Sequence, residues 1–115
     1  MLTVEKLNEY GADTKTGLAR CVNMESMYLR LVGTVPGNVG FETLEKAITE
    51  GDLQTAFEAA HGLKGALTNL SLTPLADPVV EITEHLRAGD KMDYTPCLEE
   101  IRKQRERLRV IVEGE

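Results

Sequence analysis

The spacing of apolar residues is the feature that most restricts how this chain can fold. Apolar residues recur at alternating steps of three and four, and no stretch shows the strict alternation of a half-buried strand. Only 4% of the residues are aromatic and none is Trp, which favours helices packed through aliphatic side chains. A length of 115 residues suits one compact domain and is too short for two ordinary ones. These observations predict a single all-α domain over residues 1–115.

Glycine, proline and capping residues divide this helical pattern into segments. Gly51 is expected to end one helix and Asp52 to cap the next, while Thr95 followed by Pro96 indicates a cap and a first helical residue. The stretches 34–40 and 71–78 contain Pro and are expected to break the pattern. The predicted helices cover about residues 3–10, 14–33, 41–50, 52–70, 74–88 and 96–112.

Short connections between amphipathic helices imply antiparallel neighbours. The four longest segments, 14–33, 52–70, 74–88 and 96–112, are therefore predicted to form an antiparallel up-and-down four-helix bundle. One or two additional short N-terminal or covering helices complete the predicted fold. We find no internal repeat and no interdomain linker.

The charge of the chain argues against a nucleic-acid partner. The formal net charge is −6, whereas nucleic-acid binding needs a basic surface to replace counterions. One basic cluster, Arg102 to Arg109, is interrupted by Glu106 and flanked by further glutamates, which indicates a solvated helix face. We expect no nucleic-acid partner and no membrane partner, and a monomer.

Cysteine usage and the N-terminal residues favour a cytoplasmic protein. Cys21 and Cys97 both fall among apolar helix positions, and no CxxC spacing or transmembrane run is present. The start, "MLTVEKLNEYG", lacks the apolar core of a signal peptide. We expect both thiols to be reduced core residues, and the initial Met favours a free-standing protein over an excised domain.

The segment "AFEAAHGLKGALTNL", residues 56–70, carries two glycines inside a predicted helix beside one of only two histidines. Each glycine costs a helix about 1 kcal/mol relative to alanine. At about 100° per residue, one apolar stripe forms and His61 lies roughly 130° from its centre, on the outside. The predicted stripe consists of Leu53, Ala56, Ala60, Leu63, Leu67 and Leu70, with Phe57 at its edge.

The residues around His61 suit an approaching phosphoryl group. Missing side chains at Gly62 and Gly65 would let another molecule reach the imidazole without collision. Lys64 lies on the flank within reach of a group attached to His61, and Thr68 lies on the same side. Together with Glu58, three residues before the histidine, the two glycines and Thr68 are expected to form the partner-docking surface.

The motif "AHGLKGALTNL" resembles the signature of histidine-containing phosphotransfer (HPt) domains, with the family pattern falling on His61, Leu63, Lys64 and Gly65 and continuing to Asn69 and Leu70. "GLARCVNMESMYLRLV", "FETLEKAITEGDLQTAFEAAH" and "EITEHLRAGD" are also similar to the family, so that the resemblance covers about residues 10–112. Ser71 stands where many members have Gly, and Pro78 lies early in the following helix.

The resemblance implies that His61 is phosphorylated on Nε2, that Lys64 offsets the phosphate charge and that Gly65 admits the partner. It also implies a multistep His–Asp relay, with response-regulator receiver domains, and possibly a hybrid histidine kinase, as partners. The chain has no glycine-rich phosphate loop and no room for an ATP-binding domain, so we expect a phosphoryl carrier and not a complete enzyme. No cofactor is expected on this chain, and Mg²⁺ is expected in the partner receiver domain.

Three other functions remain open from the residues. A helical adaptor could use the same face without phosphoryl chemistry, and a phospho-accepting domain could be excised from a chemotaxis-type kinase. A di-iron bundle site uses Glu-x-x-His pairs pointing inward, and Glu58 to His61 fits that spacing once. A second Glu-x-x-His motif is absent, because no Glu stands three residues before His85. His61 is also predicted to point outward, and both observations argue against a metal site. We interpret His85 as a solvated or rim histidine.

Overall fold

Helices account for most of the chain in this computed structural model, which describes residues 1–114. Within that range there are seven α-helices and one 3₁₀ turn, Val35–Gly37. The helices are α1 Val4–Tyr10, α2 Thr14–Arg20, α3 Glu25–Thr34, α4 Gly40–Thr49, α5 Leu53–Asn69, α6 Thr73–Ala88 and α7 Thr95–Glu113. The all-α helical-bundle prediction is confirmed.

The bundle is formed by α4, α5, α6 and α7. Helix α5 packs most extensively against α4 and α6, and α6 packs against α7. Helix α7 returns to α4 through two ion pairs, in which Arg105 meets Glu42 at 2.9 Å and Arg102 meets Glu45 at 2.7 Å. The apolar stripe predicted for α5 faces this core: Ala56, Ala60, Leu63, Leu67 and Leu70 are buried and Leu53 is half-buried.

The prediction of one helix over residues 14–33, serving as a bundle member, is wrong. A turn separates α2 from α3, with Val22 and Asn23 in the left-handed region at φ of 55° and 57°. The Asn23 amide donates to the Leu18 carbonyl at 2.7 Å, a bond that closes the end of α2. Val22 and Met24, two apolar residues of this stretch, are exposed. Three short helices therefore precede the bundle, and α4 occupies the place predicted for 14–33.

The segment before the bundle completes the C-terminal end of α5. The last carbonyls of a helix have no partner within it and must find one elsewhere. Here Arg20 donates to the Thr68 carbonyl, the buried Tyr28 hydroxyl donates to the Leu70 carbonyl at 3.0 Å, and the Asp13 amide donates to the Ser71 carbonyl at 2.9 Å. The α2–α3 segment thus fixes the end of α5.

The predicted helix ends are confirmed at some positions and corrected at others. Asp52 caps α5, accepting from the Thr55 amide at 3.1 Å. Thr95 is the first residue of α7 and not its cap. Tyr94 occupies the cap position, and Asp93 accepts a hydrogen bond from the Thr95 amide at 2.9 Å. Ser71 adopts φ of 55°, a conformation that glycine tolerates best, and the expected break is confined to residues 70–72. Pro78 lies inside α6.

The four arginines of α7 contact acidic side chains or aromatic rings of the protein itself. Besides the two pairs to α4, Arg109 bonds Glu106 and Glu113, and Arg107 lies 4.8 Å over the Tyr10 ring. Arg102, Lys103 and Arg107 remain exposed, as expected of a solvated helix face. Both cysteines are free thiols: Cys21 is buried in the turn after α2, and Cys97 is half-buried.

Among residues 1–114, no helix is both long and apolar enough to cross a bilayer.

Candidate functional site

Helix α5 presents His61 on its outer face, as the periodicity predicts. The imidazole is exposed, whereas the neighbouring Ala60 and Leu63 are buried on the inner face of the helix. No hydrogen bond from the described part of the chain occupies either ring nitrogen, so both are open to solvent. The start of α5 is capped by Asp52, whose carboxyl accepts hydrogen bonds from the Thr55 hydroxyl and amide. These hydrogen bonds hold the pKa of the Asp52 carboxyl below its usual value.

One side of the imidazole rests on an aromatic ring. Phe57, one helical turn before His61, stacks against it with ring centroids 5.7 Å apart and planes inclined by 27°. On α6, the Arg87 guanidinium lies 5.2 Å from the centroid of the same Phe57 ring, a cation–π distance. The Phe57 ring therefore covers one face of an imidazole that is otherwise exposed.

Lys64 points from α5 toward α6, where it meets a carboxylate. Its ammonium lies 3.6 Å from Glu84 Oε2, and the Arg87 Nε lies 3.4 Å from Glu84 Oε1. One carboxylate therefore bridges two cations beside the histidine face. Sequence reasoning places Lys64 near His61 but does not give it this partner.

The two glycines beside His61 leave open surface. A Cβ placed at Gly62 or at Gly65 would meet nothing within 4 Å, so no contact inside this protein requires glycine at either position. Both residues are exposed on α5. Two helix-weakening residues without an internal packing role therefore flank the imidazole, which leaves room there for another molecule.

The other predicted docking residues lie on α5 but differ in what they contact. Glu58 is exposed and accepts a hydrogen bond from Gln54 at 3.0 Å. The half-buried Thr68 donates its hydroxyl to the Lys64 carbonyl at 2.8 Å, so that group is used within the helix. Seven residues at about 1.5 Å per residue put Thr68 roughly 10 Å along the axis from His61. Glu58 lies about one helical turn before His61, and Thr68 is at the edge of the face.

Sequence analysis misses Phe57, Glu84 and Arg87 as neighbours of the histidine. The spacing of four between Phe57 and His61 is a usable signal for a stacked pair on one helix. For Glu84 and Arg87, the spacing of three places them together on α6, but nothing local shows that this side of α6 faces Lys64. The missing information is the rotation of α6 against α5.

The remaining histidine and the acidic residues have ordinary structural partners. His85 Nδ1 lies 2.8 Å from Asp90 Oδ2 at the end of α6, consistent with the rim position predicted for it. No group of three or more His, Cys, Asp or Glu side chains that could hold a metal ion occurs within residues 1–114. His61 faces solvent, whereas a di-iron ligand would face the bundle interior.

Comparison with known proteins identifies the family. The family model of the Hpt domain matches residues 39–110, a range that contains α4, α5 and α6 and most of α7. Searches of curated proteins and of solved structures gave no match. The Hpt match associates the protein with histidine phosphotransfer in two-component signalling, in which such domains interact with receiver domains and histidine kinases. With more than half of its length matched, the chain belongs to the Hpt domain family.

Proposed function

We propose that this protein carries a phosphoryl group on His61 in a multistep His–Asp relay, taking it from one receiver-domain aspartate and passing it to another. The observation that carries the proposal is the exposed imidazole next to two glycines that no internal contact requires. Lys64 supplies a cation on the same flank. The whole chain acts as one domain, since the segment before the matched range fixes the end of α5.

The chemistry needs little from this chain beyond presentation of the ring. The Nε2 lone pair attacks phosphorus, the bond between phosphorus and the receiver carboxylate breaks, and the electron pair leaves with that carboxylate. The Nδ1 proton then passes to water, to which the exposed ring has access. Mg²⁺ held by the receiver would offset charge on the transferring group, so the protein works as a carrier without an ATP site.

The docking surface in this proposal is the outer face of α5. Gly62 and Gly65 admit the receiver, while Glu58 beside the histidine and Thr68 at the edge contact its rim. Two free thiols suit action in the cytoplasm, where thiols are kept reduced. The protein acts as a monomer, since a single exposed face serves donor and acceptor in turn.

A transfer assay tests the role of His61. Receiver domains from the source organism are charged with labelled acetyl phosphate and mixed with the protein. Label should appear on the wild type as an acid-labile, alkali-stable adduct and fall to background in His61→Gln. The matched control is His85→Gln, which removes the other histidine and should leave labelling unchanged.

Two outcomes would contradict the proposal. Equal labelling of His61→Gln and wild type would place the phosphoryl group elsewhere. Binding of receivers without transfer from any of them would favour the adaptor function. A phospho-accepting domain from a chemotaxis-type kinase would instead take label from an ATP-binding kinase domain and not from charged receivers.

A further inference from the structure

The cations near His61 are not free in the unphosphorylated protein. Glu84 lies on α6, opposite Lys64, and its two carboxylate oxygens meet the Lys64 ammonium at 3.6 Å and the Arg87 Nε at 3.4 Å. The Lys64 side chain is 31% exposed and the Glu84 side chain 54% exposed. The carboxylate therefore neutralises charge at the place where a phosphoryl group would need it.

The pair is poised to exchange partners. An ion pair this exposed and this long is weak, so little free energy is lost when Lys64 leaves Glu84. A phosphoryl group carries nearly twice the charge of a carboxylate near neutral pH and offers three acceptor oxygens. Lys64 is three residues from His61 on one side of α5, and its flexible stem lets the ammonium turn toward either group.

We propose that Glu84 is a positioning residue that holds Lys64 in the empty protein and gives it up to the phosphoryl group once His61 is modified. The inference rests on the proposed function and adds to it a residue outside the α5 motif. By competing for Lys64, Glu84 weakens the hold on the phosphoryl group and keeps the adduct transferable. Arg87 stays over the Phe57 ring and retains its bond to Glu84.

The test uses a small phosphodonor so that partner docking plays no part. Phosphoramidate modifies an exposed histidine directly: a phosphorus–nitrogen bond forms to the ring as the donor's own phosphorus–nitrogen bond breaks and ammonia leaves. The rate of labelling and the ³¹P titration midpoint of the adduct are measured. The His61 resonance is assigned by its absence in His61→Gln.

Glu84→Gln frees Lys64 and should change both quantities. Labelling by the anionic donor should accelerate about two- to five-fold, the range an exposed ion pair supports, and the titration midpoint should fall by about 0.3 to 0.7 pH unit. Lys64→Ala should raise the midpoint. In a Lys64→Ala background, Glu84→Gln should lose most of its effect, because its action passes through that lysine.

Glu81→Gln is the matched control, with the same change in net charge on the same helix. Glu81 is exposed. Burial raises the pKa of the Cys97 thiol on α7, and the negative charge of Glu81 raises that pKa further. Glu81 therefore lies toward α7 and away from His61. It should behave as wild type. Circular dichroism checks that each variant keeps its helices.

Two results would overturn the inference. Identical behaviour of Glu84→Gln and wild type would show that the carboxylate does not compete for Lys64. Equal shifts in Glu84→Gln and Glu81→Gln would assign the effect to net charge. Phosphoramidate needs no receiver, so this test is independent of the relay function. If the ³¹P midpoints shift as expected but charged receivers transfer no phosphoryl group, the relay function is contradicted and the role of Glu84 is not.

Discussion

At the scale of single residues, the site is defined as much by missing side chains as by present ones. His61 has a stacked ring on one side and open helix on the other. Gly62 and Gly65 weaken α5, since glycine costs a helix interior about 1 kcal/mol relative to alanine. A Cβ at either position would meet nothing within 4 Å, so internal packing does not require glycine there, whereas the proposed approach of a partner would.

Alanine at either glycine should therefore stabilise the protein. Gly62→Ala and Gly65→Ala are each expected to raise the free energy of unfolding by about 0.5–1 kcal/mol, because the new methyl group meets no atom and the helix gains propensity. Urea unfolding followed by circular dichroism measures the change. A loss of stability in both variants would mean that the space around α5 is not open.

A larger side chain at Gly65 separates access from chemistry. Gly65→Gln should keep its helical content and its labelling by phosphoramidate, yet accept phosphoryl groups from charged receivers at least about ten-fold more slowly. The control is Gly33→Gln, at a helical glycine of α3 that also has open space around it. Receiver transfer to Gly65→Gln at the wild-type rate would contradict the access argument.

At the scale of elements, helix α5 depends on the segment that precedes the bundle. Tyr28 of α3 reaches the Leu70 carbonyl at the end of α5, and Gly17 of α2 lies against both groups. A Cβ at Gly17 would lie 2.5 Å from Tyr28 Cε1 and 2.7 Å from the Leu70 oxygen. The backbone of α2 approaches Tyr28 and Leu70 so closely at Gly17 that a side chain would not fit, which explains the glycine in "GLARC".

Alanine should therefore have opposite effects at two helical glycines of the N-terminal segment. Gly17→Ala is expected to lower the free energy of unfolding by about 1–3 kcal/mol, because the overpacked methyl group pushes α2 off the Tyr28–Leu70 contact. Gly33→Ala, where a Cβ meets nothing, should be neutral or stabilising. Urea unfolding of the two variants decides the matter, and equal effects would exclude the close approach.

At the scale of the whole molecule, two buried tyrosines tie distant parts of the chain together. The Tyr10 hydroxyl donates to the Gln104 carbonyl of α7 at 3.0 Å, and Tyr28 makes the corresponding bond to α5. Burial raises the pKa of Tyr10 and of Tyr28 to about 12 from the ordinary 10.0. Both contacts depend on the protonated hydroxyl.

This linkage predicts a loss of stability in alkali. With the folded-state pKa above the unfolded one, the contribution is fully present below pH 10 and is lost as pH rises toward 12. Each tyrosine should account for about 2 kcal/mol over that interval. Urea unfolding between pH 9 and 12 gives the profile, and Tyr28→Phe should flatten it. An equally steep profile in Tyr28→Phe would remove that tyrosine as a cause.

The sequence by itself determined the helical class, the core-facing stripe of α5 and the exposure of His61. These properties depend on residues within one or two turns of each other, and the 3.6-residue period is enough to order them. The Asp52 cap was predictable for the same reason, since its partner is three residues away. The HPt resemblance of "AHGLKGALTNL" gave the chemistry that the period could not.

The tertiary structure decided the rest. The turn at Val22 and Asn23 lies in a stretch without Gly or Pro. Because apolar residues also continue through this stretch, the sequence gives no signal that the helix ends there. Arg20 reaches a carbonyl 48 residues away, and Lys64 meets Glu84 only because α6 turns that side toward α5. Such contacts depend on how helices pack, and packing is a property of side-chain shape across the whole core that no local spacing records.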